Sequence, residues 1–143
     1  MKKVFLLIAV CCCFTAKGFG QEPAKEDNPN APEITFIEIT HDFGTIPLKG
    51  LAECEFTFTN TGKEPLIIQQ CSAGCGCTVP TCPTNKPVKP NEKGTIKVKY
   101  TTTQVPGPFN KTFTVISNAK NSRVTLTIKG EVLKDAEETT AEK

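Results

Sequence analysis

Cys71, Cys75, Cys77 and Cys82 fall within a short Pro- and Gly-containing stretch, and nowhere else do so many groups able to do chemistry gather. Thiols at this density serve as a disulfide staple, a soft-metal site or a redox pair. Joining Cys71 to Cys82 closes a loop of about twelve residues and restricts the unfolded chain by about 3 kcal/mol. Cys75 and Cys77 flank the single residue Gly76, whose backbone freedom lets the two sulfurs meet in a small ring. A ring that small is expected to be strained, and strained disulfides are the reducible ones. Alternatively, the four thiolates surround Zn²⁺ tetrahedrally, or the Cys-x-Cys pair takes soft Cu⁺. A zinc ribbon would show two Cys-x-x-Cys knuckles, and thioredoxin-type catalysis a Cys-x-x-Cys at a helix start; neither spacing is present. The disulfide candidates Cys71, Cys82, Cys75 and Cys77 therefore rank first, with labile redox chemistry and a metal site at the same four residues behind them.

The compartment bears on that ranking. Lys2 and Lys3 precede an apolar run from Val4 to Phe14, and small residues at Gly18 and Gly20 come before Gln21. This pattern predicts a secretory signal peptide over residues 1–20, too short in its apolar part for the roughly 20 residues of a membrane span. An acylated lipoprotein cysteine among Cys11, Cys12 and Cys13 is the alternative, disfavoured because Val10 and apolar Phe14 flank the group. The leader takes three lysines from totals of 17 basic and 15 acidic side chains, so the formal charge of +2 belongs to it and no basic footprint for nucleic acid is left. Residues 21–32 and 134–143 are polar and read as a flexible linker and a disordered tail. Export favours disulfides over free thiols. Five of the eight cysteines lie beyond the leader, so one stays unpaired in a monomer, and Cys54, in phase with Phe56 and Phe58, is expected to be a small core hydrophobe.

No other chemistry emerges. His41 is the single histidine, but in a strand its neighbour Asp42 points to the opposite face, so the two make no base and orienting carboxylate. Phe43 is expected to be buried and Gly44 to bend the strand, leaving His41 and Asp42 as edge or turn residues. Phosphate loops, a nucleophile elbow and paired carboxylates are lacking, so no catalytic residue and no cofactor is assigned. Lys97 and Lys99, with Lys89 and Lys93 nearby, form a solvated, edge-protecting face in preference to a site for an acidic partner. Asn110-Lys111-Thr112 matches a glycosylation sequon by pattern alone.

The elements that position the cysteines are strands. Cys54, Phe56 and Phe58 alternate with Glu53, Glu55, Thr57 and Thr59; Ile96, Val98 and Tyr100 with Lys97, Lys99 and Thr101. Phe113 and Val115, and Val124, Leu126 and Ile128, repeat the pattern, which puts one face on a core and the other in water. One-sided strands point to antiparallel sheets. Turn residues fall at Asn60-Thr61-Gly62, Pro90-Asn91, Pro106-Gly107-Pro108 and Ser117-Asn118. With residues 33–39, 42–46 and 65–70 added, about seven short strands over residues 33–133 predict an all-β, immunoglobulin-like antiparallel sandwich.

The ordered segments HDFGTI (41–46), FTFTNTGKEPLII (56–68), GCGCTVP (74–80), KPNEKGTIKVKY (89–100), GPFNKTFTVISN (107–118) and LTIKGEV (126–132) resemble a family of secreted bacterial proteins abundant in the Bacteroidetes, domain of unknown function 1573. That family is similar to the immunoglobulin-like domains of the major sperm protein and Hydin type. The resemblance implies a binding or scaffolding domain of the periplasm or cell surface, whose partner is a protein or other cell-envelope component, and it brings no catalytic activity. Cys75-Gly76-Cys77-Thr78 matches the family's cysteine motif, whereas Cys54, Cys71 and Cys82 stand as additions. A thiol-based metal or redox protein centred on Cys75 and Cys77 is the competing expectation. Addition of a partner strand along residues 33–39 is a third.

Overall fold

The computed structural model describes residues 28–101 and 103–134. The expected leader with Cys11 to Cys13, most of the polar linker and the tail beyond Lys134 lie outside the described residues. Nine strands occur in chain order: β1 (Ile34–Phe36), β2 (Thr40–Ile46), β3 (Ala52–Asn60), β4 (Leu66–Ala73), β5 (Thr78–Thr81), β6 (Pro87–Val88), β7 (Lys93–Tyr100), β8 (Gly107–Ser117) and β9 (Arg123–Val132). They form a four-stranded sheet in the order β1-β3-β7-β5 and a five-stranded sheet in the order β2-β9-β8-β4-β6.

The alternation in sequence is the alternation in space. On β3, Ala52, Cys54, Phe56, Phe58 and Asn60 are buried; on β7 the buried set is Ile96, Val98 and Tyr100, and on β9 it is Leu126, Ile128 and Val132. Phe56 of one sheet meets Phe113 of the other edge to face, ring centroids 5.6 Å apart, and Tyr100 stacks on Phe109 at 4.1 Å. Aromatic pairs in these geometries add stabilisation beyond the area they bury.

Two features depart from the sequence reading. First, β2 runs parallel to β9, although every other strand pairing is antiparallel. The N-terminal segment pairs with β3 as β1, crosses to the second sheet at residues 37–39 without reversing, and continues beside β9. One-sided burial reports which face meets the core, but it carries no information about a neighbour's direction. Second, among the described residues two short strands, β5 and β6, join the roughly seven expected; they contain Pro80 and Pro87 and are too short to show a period.

Those prolines also blunt the sheet edges, since proline cannot donate to a ladder. β1 offers three residues, and β2 is bulged between Asp42 and Thr45 with Gly44 at φ +63°. The Asp42 carboxylate accepts the Gly44 N–H at 2.8 Å and lies 3.2 Å from Lys129 Nζ. These two contacts, the backbone one first, hold its carboxyl below the usual range.

Candidate functional site

Cys71 lies on β4 of the five-stranded sheet, and Cys82 directly follows β5 of the four-stranded one. Their disulfide, with Cα atoms 6.3 Å apart, ties the two sheets together where the chain crosses between them. Both residues are half-buried and pack against the core.

Cys75 and Cys77 form a second disulfide in the β4–β5 connection, Cα to Cα 5.3 Å. Its two halves are unlike: Cys75 is exposed, whereas Cys77 is half-buried against the core. Backbone contacts hold this turn from the side. The Thr101 N–H donates to the Cys77 carbonyl at 2.9 Å, and the Thr101 hydroxyl reaches the Cys77 and Gly76 carbonyls at 3.3 and 3.5 Å. The buried Thr78 hydroxyl lies 4.0 Å from Cys77 Sγ. With all four sulfurs bonded in pairs, no group of three or more His, Cys, Asp or Glu side chains among the described residues is arranged to hold a metal ion.

Three loops share this end of the sandwich: residues 47–51, residues 74–77, and Thr101 with residues 103–106. Hydrogen bonds lace them, from the Lys49 N–H to the Thr103 carbonyl at 2.8 Å and from Thr101 to Cys77. The Leu133 N–H donates to the Ile46 carbonyl at 2.8 Å and so brings the end of β9 to the same place. Large apolar side chains face solvent here, with Leu51 74%, Val105 61% and Leu133 45% exposed. The described chain begins at the opposite end, where Lys120 donates to the Pro32 carbonyl, Thr61 to the Glu33 carbonyl and Ile34 to the Asn121 side chain.

His41 is half-buried on the inner side of β2, its ring edge-on to Phe43 at 4.7 Å and to Phe56 at 6.3 Å, with Nδ1 3.2 Å from Glu38 Oε1. His41 thus lies on an edge strand of the five-stranded sheet, as expected, and within that strand its parity matches Phe43, so both rings turn inward. Asp42 takes the outer face. Lys97 and Lys99 pair across the strand ladder with Glu55 and Glu53, each at 3.3 Å. Together with Val79 and Thr81 these four line a shallow groove of about 380 Å³ whose charges cancel locally. Cys54 is free and buried, and burial pushes its thiol up to about 11. Sequence reasoning passed over Leu51, Val105 and Leu133, and gave no part at the site to Thr101 or, beyond its place in the cysteine motif, to Thr78. The three apolar residues are single positions in or beside loops, without a period, and only their shared location marks them.

Among curated proteins, none matches the chain in sequence. A protein of unknown function from Porphyromonas gingivalis W83 superposes with a TM-score of 0.63 at 11% identity over 73% of this chain and 49% of its own, so the chain spans about half of that protein's length. The seventh PapD-like (ASH) domain of human CEP192 gives 0.57 at 8% identity, covering 78% of this chain and 93% of that one. The Escherichia coli chaperone DraB gives 0.51 at 12% identity, covering 76% and 58%. At such identities the likeness speaks for the fold, an immunoglobulin-like sandwich of the PapD type. Residues 34–132 match the family model described as protein of unknown function (DUF1573), and the chain belongs to that family.

Proposed function

We propose that this protein is an exported, non-catalytic module that binds a protein partner of the cell envelope through the loop end of its sandwich. The observation that carries the reading is that three of the six exposed large apolar side chains among the described residues, Leu51, Val105 and Leu133, lie on or beside loops at the end remote from where the described chain begins, while Ile37, Ile39 and Val79 lie along the sheets. Scattered single apolar residues are ordinary on a surface, but several at one end, on loops fixed by a rigid scaffold, suit recognition. In this reading residues 1–20 direct export, residues 21–32 form a tether and the polar tail follows the domain. The loop end then faces away from the tether. Two disulfides fit an oxidising compartment, and among the described residues no helix is long and apolar enough to cross a membrane. A non-catalytic role is supported by His41, which engages Glu38 and two aromatic rings rather than a hydroxyl or thiol.

Site-specific photo-crosslinking in cells tests the proposal. A crosslinker at position 51 or 105 is expected to give a discrete protein adduct, and one at position 61 or 91, on the opposite end, none. Equal adducts from both ends, or none from the loop end, would refute it. The N-terminus of the protein recovered from the envelope fraction checks export, with Gln21 the expected first residue.

A further inference from the structure

We infer that Cys75 and Cys77 are an exchangeable redox pair, attacked by external thiols at Cys75 and releasing Cys77 as the leaving thiolate. This role goes beyond the binding reading and stands without it. The two disulfides differ in setting. Cys71–Cys82 has both residues half-buried and connects separate sheets, whereas Cys75–Cys77 spans one intervening residue at the tip of a turn. The turn also has supports of its own, namely the bonds from Thr101 to the Cys77 and Gly76 carbonyls. Opening the second disulfide therefore leaves the backbone around it held in place.

The pair is also directional. Thiol–disulfide exchange needs the attacking sulfur to approach along the S–S axis, and access decides which sulfur it meets. Cys75 is open to solvent, while Cys77 is half-buried against the core and so less accessible. Exchange also proceeds faster when the departing sulfur is stabilised as a thiolate. The Thr78 hydroxyl, 4.0 Å from Cys77 Sγ, is placed to donate a hydrogen bond to that sulfur as it takes up charge. A disulfide sulfur carries no proton, so in this contact the hydroxyl is the donor.

The reductant is a dithiol, of a protein or a small molecule. One of its thiolates attacks Cys75 Sγ; the Cys75–Cys77 bond breaks, a mixed disulfide to Cys75 forms, and the electron pair leaves on Cys77. The second thiolate of the donor then attacks the donor sulfur of the mixed disulfide, which releases Cys75. The donor ends as a disulfide, having lost two electrons. Cys75 and Cys77 end as thiols, carrying the two protons that the donor gave up.

The test uses the purified, fully oxidised protein, equilibrated against graded ratios of reduced to oxidised dithiothreitol, alkylated, and read by peptide mass spectrometry at each cysteine. Cys75 and Cys77 are expected to be half-reduced at a ratio roughly tenfold or more below that needed for Cys71 and Cys82, with far-ultraviolet circular dichroism unchanged. Joint reduction of all four, or loss of fold on opening the small ring, would overturn the inference. Direction is read from two single variants treated with oxidised glutathione. Cys77→Ser should take up glutathione on Cys75 quickly, and Cys75→Ser should take it up on Cys77 slowly; equal rates would refute the assigned roles. Thr78→Val, which keeps the side-chain shape, should slow reduction of the pair while leaving the melting temperature near wild type. An unchanged rate would remove Thr78 from the step.

Discussion

Removing each disulfide separately should show that the two contribute unequally to stability. In the chain-entropy account, a cross-link stabilises by shrinking the unfolded ensemble, and the effect grows with the logarithm of the loop it closes. Cys71 and Cys82 are 11 positions apart, and their loop corresponds to about 2.8 kcal/mol at room temperature. Cys75 and Cys77 are 2 positions apart, and theirs corresponds to about 1.6 kcal/mol. Packing widens the gap, since Cys71 and Cys82 both lie against the core while Cys75 is exposed. Thermal unfolding of the double variants Cys71→Ala/Cys82→Ala and Cys75→Ala/Cys77→Ala measures the contrast. For a domain of this size about 4 °C accompanies each kcal/mol. The first variant should therefore melt about 11 °C below wild type, and the second about 6 °C below. If losing the small ring cost as much as losing the long-loop staple, the assignment of the Cys71–Cys82 bond as the structural one would fail. So would the claim that Thr101 supports the turn.

Three more outcomes are expected. Asn60, fully buried, donates through Nδ2 to the Glu64 and Val88 carbonyls at 2.8 and 2.9 Å and accepts from the Gly62 and Glu33 N–H groups. Asn60→Ala strands these partners and should cost about 3 kcal/mol in a urea titration; a loss within experimental error would mean water replaces the amide. Gly94 pairs with Phe58 across the β3–β7 ladder, and a Cβ there would run into the Phe58 ring. Gly94→Ala should then destabilise the protein by about 2 kcal/mol despite the higher strand propensity of alanine, whereas a stabilised variant would show that the ring moves aside freely. Cys54, whose thiol burial raises from 9.0 to about 11, is an acid held protonated by the fold. Its contribution is complete below 9.0 and is lost as pH rises towards 11, because the unfolded chain ionises first. Urea titrations across that window should show wild type weakening more steeply than Cys54→Ala, and parallel slopes would refute the buried thiol.

Much of the scaffold could be read from the chain because strand burial has a period of two. Cys54, Phe56 and Phe58, or Leu126 and Ile128, declare their face without reference to any other residue. Asp42 and His41 were likewise separable by parity, and the expected burial of Phe43 puts His41 on the inner face, but the contacts that His41 makes there with Phe43, Phe56 and Glu38 were not legible. The strands β5 and β6 stayed hidden because a short proline-bearing segment has no period to show and becomes a strand only by resting on β7 or β4. The candidate site was half legible. Cysteine spacing drew attention to residues 71–82, yet nothing in that spacing distinguishes the exposed Cys75 from the half-buried Cys77 or brings the Thr101 hydroxyl alongside.

By itself, then, the order of side chains determined that this protein is built of strands around an apolar interior, and that its sulfur chemistry is confined to one connection. Both follow from properties local to a few neighbouring residues. Tertiary structure alone decided that β2 runs alongside β9 in the same direction, that the Cys71–Cys82 bond spans two sheets, and that Leu51, Val105 and Leu133 share one end with the small cystine ring. Those relations join residues that are not neighbours in the chain, from 11 positions apart for Cys71 and Cys82 upward. They are set by how two twisted sheets close over a common core, a collective choice that no short stretch of the chain encodes.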